Sequence, residues 1–183
     1  SPLVQACSLQ DGELLWESKL QSEPYWNMYL LEKRLYVLMK RRNVYCLNTL
    51  DGKSLWKSDF PAIRPFSVNE EWVLHNSLAD LIPTTKILRA SSGETITRMA
   101  SAKFTANDEI CLDGKAAYFS NSEGDIIAIG KGMNPSILCQ GKGRLERMLL
   151  DAPQRKRILA LSMTPPSLMA YSRSAGEELW QRD

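Results

Sequence analysis

Short apolar runs recur along the chain, each bounded by glycine, proline, asparagine or aspartate, and none has the length of an ordinary helix. Four of them are apolar on both alternating faces: Leu35-Tyr36-Val37-Leu38-Met39, Trp72-Val73-Leu74, Ala116-Ala117-Tyr118-Phe119 and Ile158-Leu159-Ala160-Leu161. A strand with one wet side alternates apolar and polar residues, so continuous runs of this kind imply cover on both faces. Pro61, Pro65, Pro83, Pro153 and the Pro165-Pro166 pair punctuate the pattern further. The clearest unit is 43–60, NVYCLNTLDGKSLWKSDF, which reads as strand, Asp51-Gly52 turn and second strand. Two β-favouring runs joined by a short loop ending in Asp-Gly predict a hairpin.

That hairpin repeats. Its copies are ACSLQDGELLW (6–16), CLNTLDGKSLW (46–56), ILRASSGETIT (87–97), AIGKGMNPSIL (128–138) and AYSRSAGEELW (170–180). The turn residues are Gly12, Gly52, Gly93, Asn134 and Gly176, spaced 40 to 42 residues apart. Hairpin loops of three to five residues commonly need one residue at positive φ, which glycine supplies freely and asparagine tolerates. Asn134 is therefore expected to hold the glycine conformation in the fourth copy. A period near 41 belongs to propellers and solenoids. An α-helical repeat of similar period is the structural alternative, which the short runs and the prolines disfavour.

The glycine is followed four residues later by a tryptophan in three copies (Trp16, Trp56, Trp180) and by Thr97 and Leu138 in the others. This pattern resembles the quinoprotein-type, pyrroloquinoline-quinone-like or tryptophan-docking β-propeller repeat. The resemblance implies an all-β fold of four-stranded antiparallel blades, with the indole docked between neighbours. On that reading 1–183 is a single propeller-type domain, with a half blade at 3–20 and full blades at 23–60, 61–101, 102–142 and 143–183. One hairpin and four full blades leave the first blade without its two inner strands. An open ring exposes strand edges and apolar faces. The expectation is an excerpt of a longer propeller, or strands completed by a partner.

Composition changes this picture little. A net charge of +2 is too balanced to argue for nucleic acid, and no apolar run approaches the ~20 residues of a membrane helix. Ser1-Pro2 reads as a cut edge, uninformative about export. Cys7, Cys46, Cys111 and Cys139 lie far apart, without zinc-site spacing. Read as small buried residues on opposite faces of their sheets, they favour a cytoplasmic over an exported protein, mildly.

Catalytic chemistry finds little support. His75 is the only histidine, which excludes Ser-His and two-His metal arrangements. It is expected to be a strand residue with a local hydrogen bond. The quinone enzymes that the repeat resembles bind their cofactor with a calcium-type site and commonly a disulfide between adjacent cysteines. No adjacent cysteine pair or calcium-loop spacing is present here, and Lys131-Gly132 lacks the frame of a phosphate loop. No catalytic, cofactor or metal residue is assigned.

A binding role is better motivated. In the propeller family the b–c and d–a connections share one rim. On it fall Tyr25, Trp26, Lys40, Arg41, Arg42, Arg64, Phe66, Lys103, Phe104 and Arg147. Aromatic and basic residues together suit a protein partner with an acidic segment. The opposing reading makes the aromatics channel-side core and the cations solvated turns, and Glu70, Glu71 and Glu146 dilute an anionic-ligand argument. The sequence thus points to a non-catalytic interaction or scaffold module without nucleic-acid binding or membrane insertion. The alternative is part of a quinone- or sugar-binding propeller enzyme whose site lies elsewhere.

Overall fold

In a computed structural model, residues 2–182 are described apart from 22, 41–42, 59–60, 78–83, 101–105, 107–109, 115, 142, 152–155 and 164, with backbone alone at 25–27, 64 and 163. The described residues form eighteen strands and no helix. β1 (Leu3–Cys7) and β2 (Leu14–Lys19) make a lone hairpin. Sheet I comprises β3 (Pro24–Leu31), β4 (Arg34–Met39), β5 (Val44–Asn48) and β6 (Ser54–Lys57). Sheet II comprises β7 (Ala62–Val68), β8 (Trp72–Ser77), β9 (Thr84–Arg89) and β10 (Thr95–Met99). Sheet III comprises β11 (Ile110–Leu112), β12 (Ala116–Ser120), β13 (Ile126–Gly130) and β14 (Pro135–Cys139). Sheet IV comprises β15 (Leu145–Leu150), β16 (Arg157–Met163), β17 (Pro166–Ser172) and β18 (Glu178–Arg182). Each is an antiparallel meander in chain order, as the repeat implied. The expected first strand of the third blade, 104–112, is seen as Ile110–Leu112, and most of the rest of it lies outside the described residues.

Each sheet buries one face on the next. Val4, Trp16 and Leu20 of the hairpin pack on Val37, Met39, Tyr45 and Leu47 of sheet I. Tyr36, Leu38, Val44 and Cys46 on its other face meet Phe66, Val68, Val73 and Leu88 of sheet II. Trp72, Leu74 and Ile87 then meet Ala117, Phe119, Ile127 and Ile129, and Tyr118 and Ile126 meet Met148, Ile158 and Met169. This is why β4, β8 and β12 read as apolar on both faces; β16 buries only its Ile158 and Ala160 face, and Leu159 and Leu161 on the other are half-buried. The first strands of the sheets neighbour one another in turn, β3 beside β7, β7 beside β11 and β11 beside β15. The core is therefore a series of dry layers between blades.

Four of the five hairpin turns share one geometry. The amides of Gly12, Gly52, Gly93 and Gly176 donate to the carbonyls of Ser8, Asn48, Arg89 and Ser172 at 2.8–2.9 Å. Their φ angles lie between 68° and 76°, where a side chain is strained and glycine is not. The fourth turn corrects the sequence expectation. Asn134 does not take the left-handed conformation; Met133 does, at φ 57°, and its amide donates to Gly130 at 2.9 Å. The reason stands one residue on. Pro135 pushes the residue before it toward extended backbone, so the positive φ moves back to Met133. The bulge in the fourth strand moves as well, from opposite the turn end of the third strand to Leu138, opposite Ile126/Ile127.

Candidate interaction surfaces

The docking tryptophans show how consecutive blades are fixed. The Trp16 indole N–H donates to the Thr49 carbonyl at 2.7 Å, and Trp56 to that of Ala90 at 3.0 Å. Each ring lies over the turn glycine of the next sheet. A Cβ on Gly52 would fall 2.4 Å from Trp16 Cε3, and one on Gly93 would fall 2.5 Å from Trp56 Cε3. Trp180 ends the series 36% exposed, and the Cβ position of Gly12 is open.

Where Leu138 replaces tryptophan, sheets III and IV are joined differently. Arg173, in the turn of sheet IV, reaches the buried carboxylate of Asp113 at 2.5 Å. Asp113 also takes the Ala116 amide at 2.7 Å, and its own carbonyl accepts from the Asn69 side chain at 2.7 Å. Sixty residues separate the ion pair along the chain, and no local motif announces it. Sequence reasoning missed this cluster. It borders a hollow of about 360 Å³ lined by Leu31, Val68, Asn69, Glu70, Leu112, Asp113 and Gly114.

The residues expected on the partner-facing rim separate into four groups. Lys40 is exposed after β4, its ammonium 3.7 Å from Glu23. Arg147 is exposed on β15, opposite Leu161, on the outward face of sheet IV. Phe66 is buried between sheets I and II, its ring edge-on to Tyr29 at 5.3 Å, so it packs and presents no surface. Tyr25, Trp26 and Arg64 lie in β3 and β7, with side chains outside the described residues. Arg41, Arg42, Lys103 and Phe104 lie outside the described residues altogether.

His75 is fully buried in β8, opposite Lys86. Its Nδ1 lies 2.7 Å from the Asn76 carbonyl, so that nitrogen carries the proton and donates. Nε2 has no partner among the described residues. Burial pushes its pKa down to about 4, assisted by the nearby Lys86 charge. The neutral ring is sealed from solvent and placed for packing. The four cysteines are free. Cys46 is buried as expected and its thiol is pushed up to about 11 by desolvation. Cys7 is not: it is exposed, on the face of the hairpin turned away from Val4, Ala6 and sheet I.

Four-stranded antiparallel sheets in series, locked by indole-on-glycine contacts, define a tryptophan-docking β-propeller. The sequence model of the family described as outer membrane protein assembly factor BamB matches residues 2–94, just over half of the chain. The chain belongs to this pyrroloquinoline-quinone-like repeat family.

Among solved structures it is similar to BamB from Moraxella catarrhalis, at 13% identity and a TM-score of 0.67 over 99% of this chain. It is also similar to the computationally designed proteins Ika8 (12%, 0.78, 97% of this chain) and Ika4 (10%, 0.68, 88%). It spans 58% of the Moraxella protein, 55% of Ika8 and 98% of Ika4. No curated protein matches its sequence. At such identities these likenesses establish the fold.

Proposed function

We propose that this chain is a non-catalytic β-propeller module that holds a protein partner. The observation that carries the reading is membership of a family described as an assembly factor, a protein that works by contact. The rim around Lys40, with Arg41, Arg42, Arg64, Lys103, Tyr25, Trp26 and Phe104, is the proposed contact, facing an acidic segment of the partner. Exposed cations steer such encounters and aromatic residues anchor them. Phe66 has a supporting role only, through its buried ring. The partner is a protein segment, and no cofactor is invoked.

Capture of an acidic peptide by the immobilised chain tests this. The triple substitution Lys40→Ala, Arg41→Ala, Arg42→Ala should weaken capture about tenfold and flatten its salt dependence. Unchanged capture would remove the rim from the account. The second reading, a quinone- or sugar-binding propeller, rests on the family's pyrroloquinoline-quinone-like repeat. Saturable quinone or calcium binding by the chain would favour it over the first.

A further inference from the structure

The first strands of three consecutive sheets end on the same kind of residue: Leu31 closes β3, Val68 closes β7 and Leu112 closes β11. With the turns that follow, these three wall the hollow of about 360 Å³. That volume lies at the small end of the range for ligand pockets. Sheets I, II and III each pack on a described neighbour at either side, so the hollow is bounded within the chain. Among the described residues two charged groups line it, Glu70 and Asp113, and both are carboxylates. Asp113 is already engaged by Arg173. The exposed Glu70 carboxylate has no hydrogen bond or ion pair among the described residues, whereas its neighbour Glu71 pairs with Lys131 at 3.7 Å.

The turn that carries Glu70 is held in place. Asn69 Oδ1 accepts the amides of Glu71 at 2.9 Å and Trp72 at 2.6 Å, and its Nδ2 donates to the Asp113 carbonyl at 2.7 Å. The unused carboxylate therefore stands at a fixed place beside an apolar wall. Such a wall with a free negative charge matches a side chain that has an apolar stem and a positive end, which lysine and arginine have. A smaller hollow of about 130 Å³ shares Leu31 and Glu70, but Arg34 lines it and repels a cation there. The charge pattern thus steers a cation to the larger hollow.

We propose that this hollow receives a lysine or arginine side chain from a basic segment of a protein partner, its stem on Leu31, Val68 and Leu112 and its charge on Glu70. The proposal rests on reading the chain as a protein-binding module. Its surface lies at the opposite end of β4 from Lys40, beside the Leu31–Arg34 pair, and has the opposite sign to the basic rim.

The probe is a blocked peptide of glycine and serine around a central lysine, titrated into the isotopically labelled full chain. Amide shifts should saturate and concentrate at 68–70 and 112–114. Norleucine in place of the lysine keeps the stem and drops the charge, and should weaken binding about tenfold. Glu70→Gln should do the same and leave the urea midpoint in place, because the carboxylate has no partner to lose. Glu71→Gln removes an equal charge one residue away and should leave binding unchanged. Shifts that never saturate overturn the proposal. So does indifference to Glu70→Gln, an equal loss with Glu71→Gln, or full binding of the norleucine peptide, which would make an apolar segment the occupant. Putrescine, a diamine without a peptide backbone, should compete only weakly; tighter binding of the diamine would overturn the proposal by making a small polyamine the occupant. Acidic-peptide capture should persist in Glu70→Gln, and lysine-peptide binding should survive the triple substitution at Lys40, Arg41 and Arg42, which separates failure of the hollow from failure of the rim.

Discussion

Gly52 meets two demands at one position: a left-handed backbone and room for an indole face. Alanine there would add left-handed strain and place Cβ 2.4 Å from Trp16 Cε3. Gly52→Ala is expected to cost roughly 2–4 kcal/mol, backbone strain and overpacking together. Gly12 has the same φ and nothing within 4 Å of its Cβ position, so Gly12→Ala should cost about 1–2 kcal/mol. Urea midpoints of the two variants separate the contributions, and equal losses would argue against the docking share.

His75 makes a second prediction at this scale. Its folded pKa, about 4, lies below the ordinary value of 6.5, so the unfolded state binds the proton more readily. Stability should therefore fall as pH drops from about 6.5 toward 4, by up to roughly 3 kcal/mol in that window. His75→Leu should flatten that slope in urea titrations at successive pH values, while the acid loss from carboxylates such as Asp151, whose pKa Arg157 lowers, remains at lower pH.

At the scale of the element, turns decide register. The Gly turns place a bulge in the fourth strand opposite the end of the third, at Leu55 in sheet I, whereas Asn134-Pro135 builds a tighter turn and moves the bulge along β14 to Leu138. The sequence carried this signal in the Asn-Pro pair, and alignment to the glycine copies hid it. Glu32, between β3 and β4, is the other described non-glycine residue at positive φ, 50°, and it is exposed. Glu32→Gly should stabilise the chain by about 0.5–1 kcal/mol by relieving left-handed strain without loss of packing. Thermal unfolding of the variant checks it, and a lowered midpoint would show that the glutamate has another role.

At the scale of the molecule, stability lies between the sheets. The Asp113–Arg173 pair bridges sheets III and IV where an indole is absent. Arg173→Ala leaves a buried carboxylate without its cation and should cost about 2–3 kcal/mol, discounted because Arg173 remains partly exposed. A double-mutant cycle with Asp113→Asn should recover part of that loss, and strict additivity would mean that the pair is uncoupled. The blades were legible because most copies repeat the same local signals: an apolar run of strand length, a turn glycine in four of the five, and a tryptophan four residues on in three. The rim was legible only as a list of cations and rings. Whether a ring such as Phe66 is a contact or core depends on what lies across from it, and Tyr29 lies across from it.

Sequence alone determined the strands, four of the five left-handed turn residues and the class of fold, because strand period and left-handed turns are local properties of a few consecutive residues. Tertiary structure decided the rest: which faces are dry, that Leu31, Val68 and Leu112 of three sheets line one hollow with Glu70, and that Asp113 finds Arg173 sixty residues away. Burial and ion pairing depend on the distance between sheets, which arises only when the blades stack.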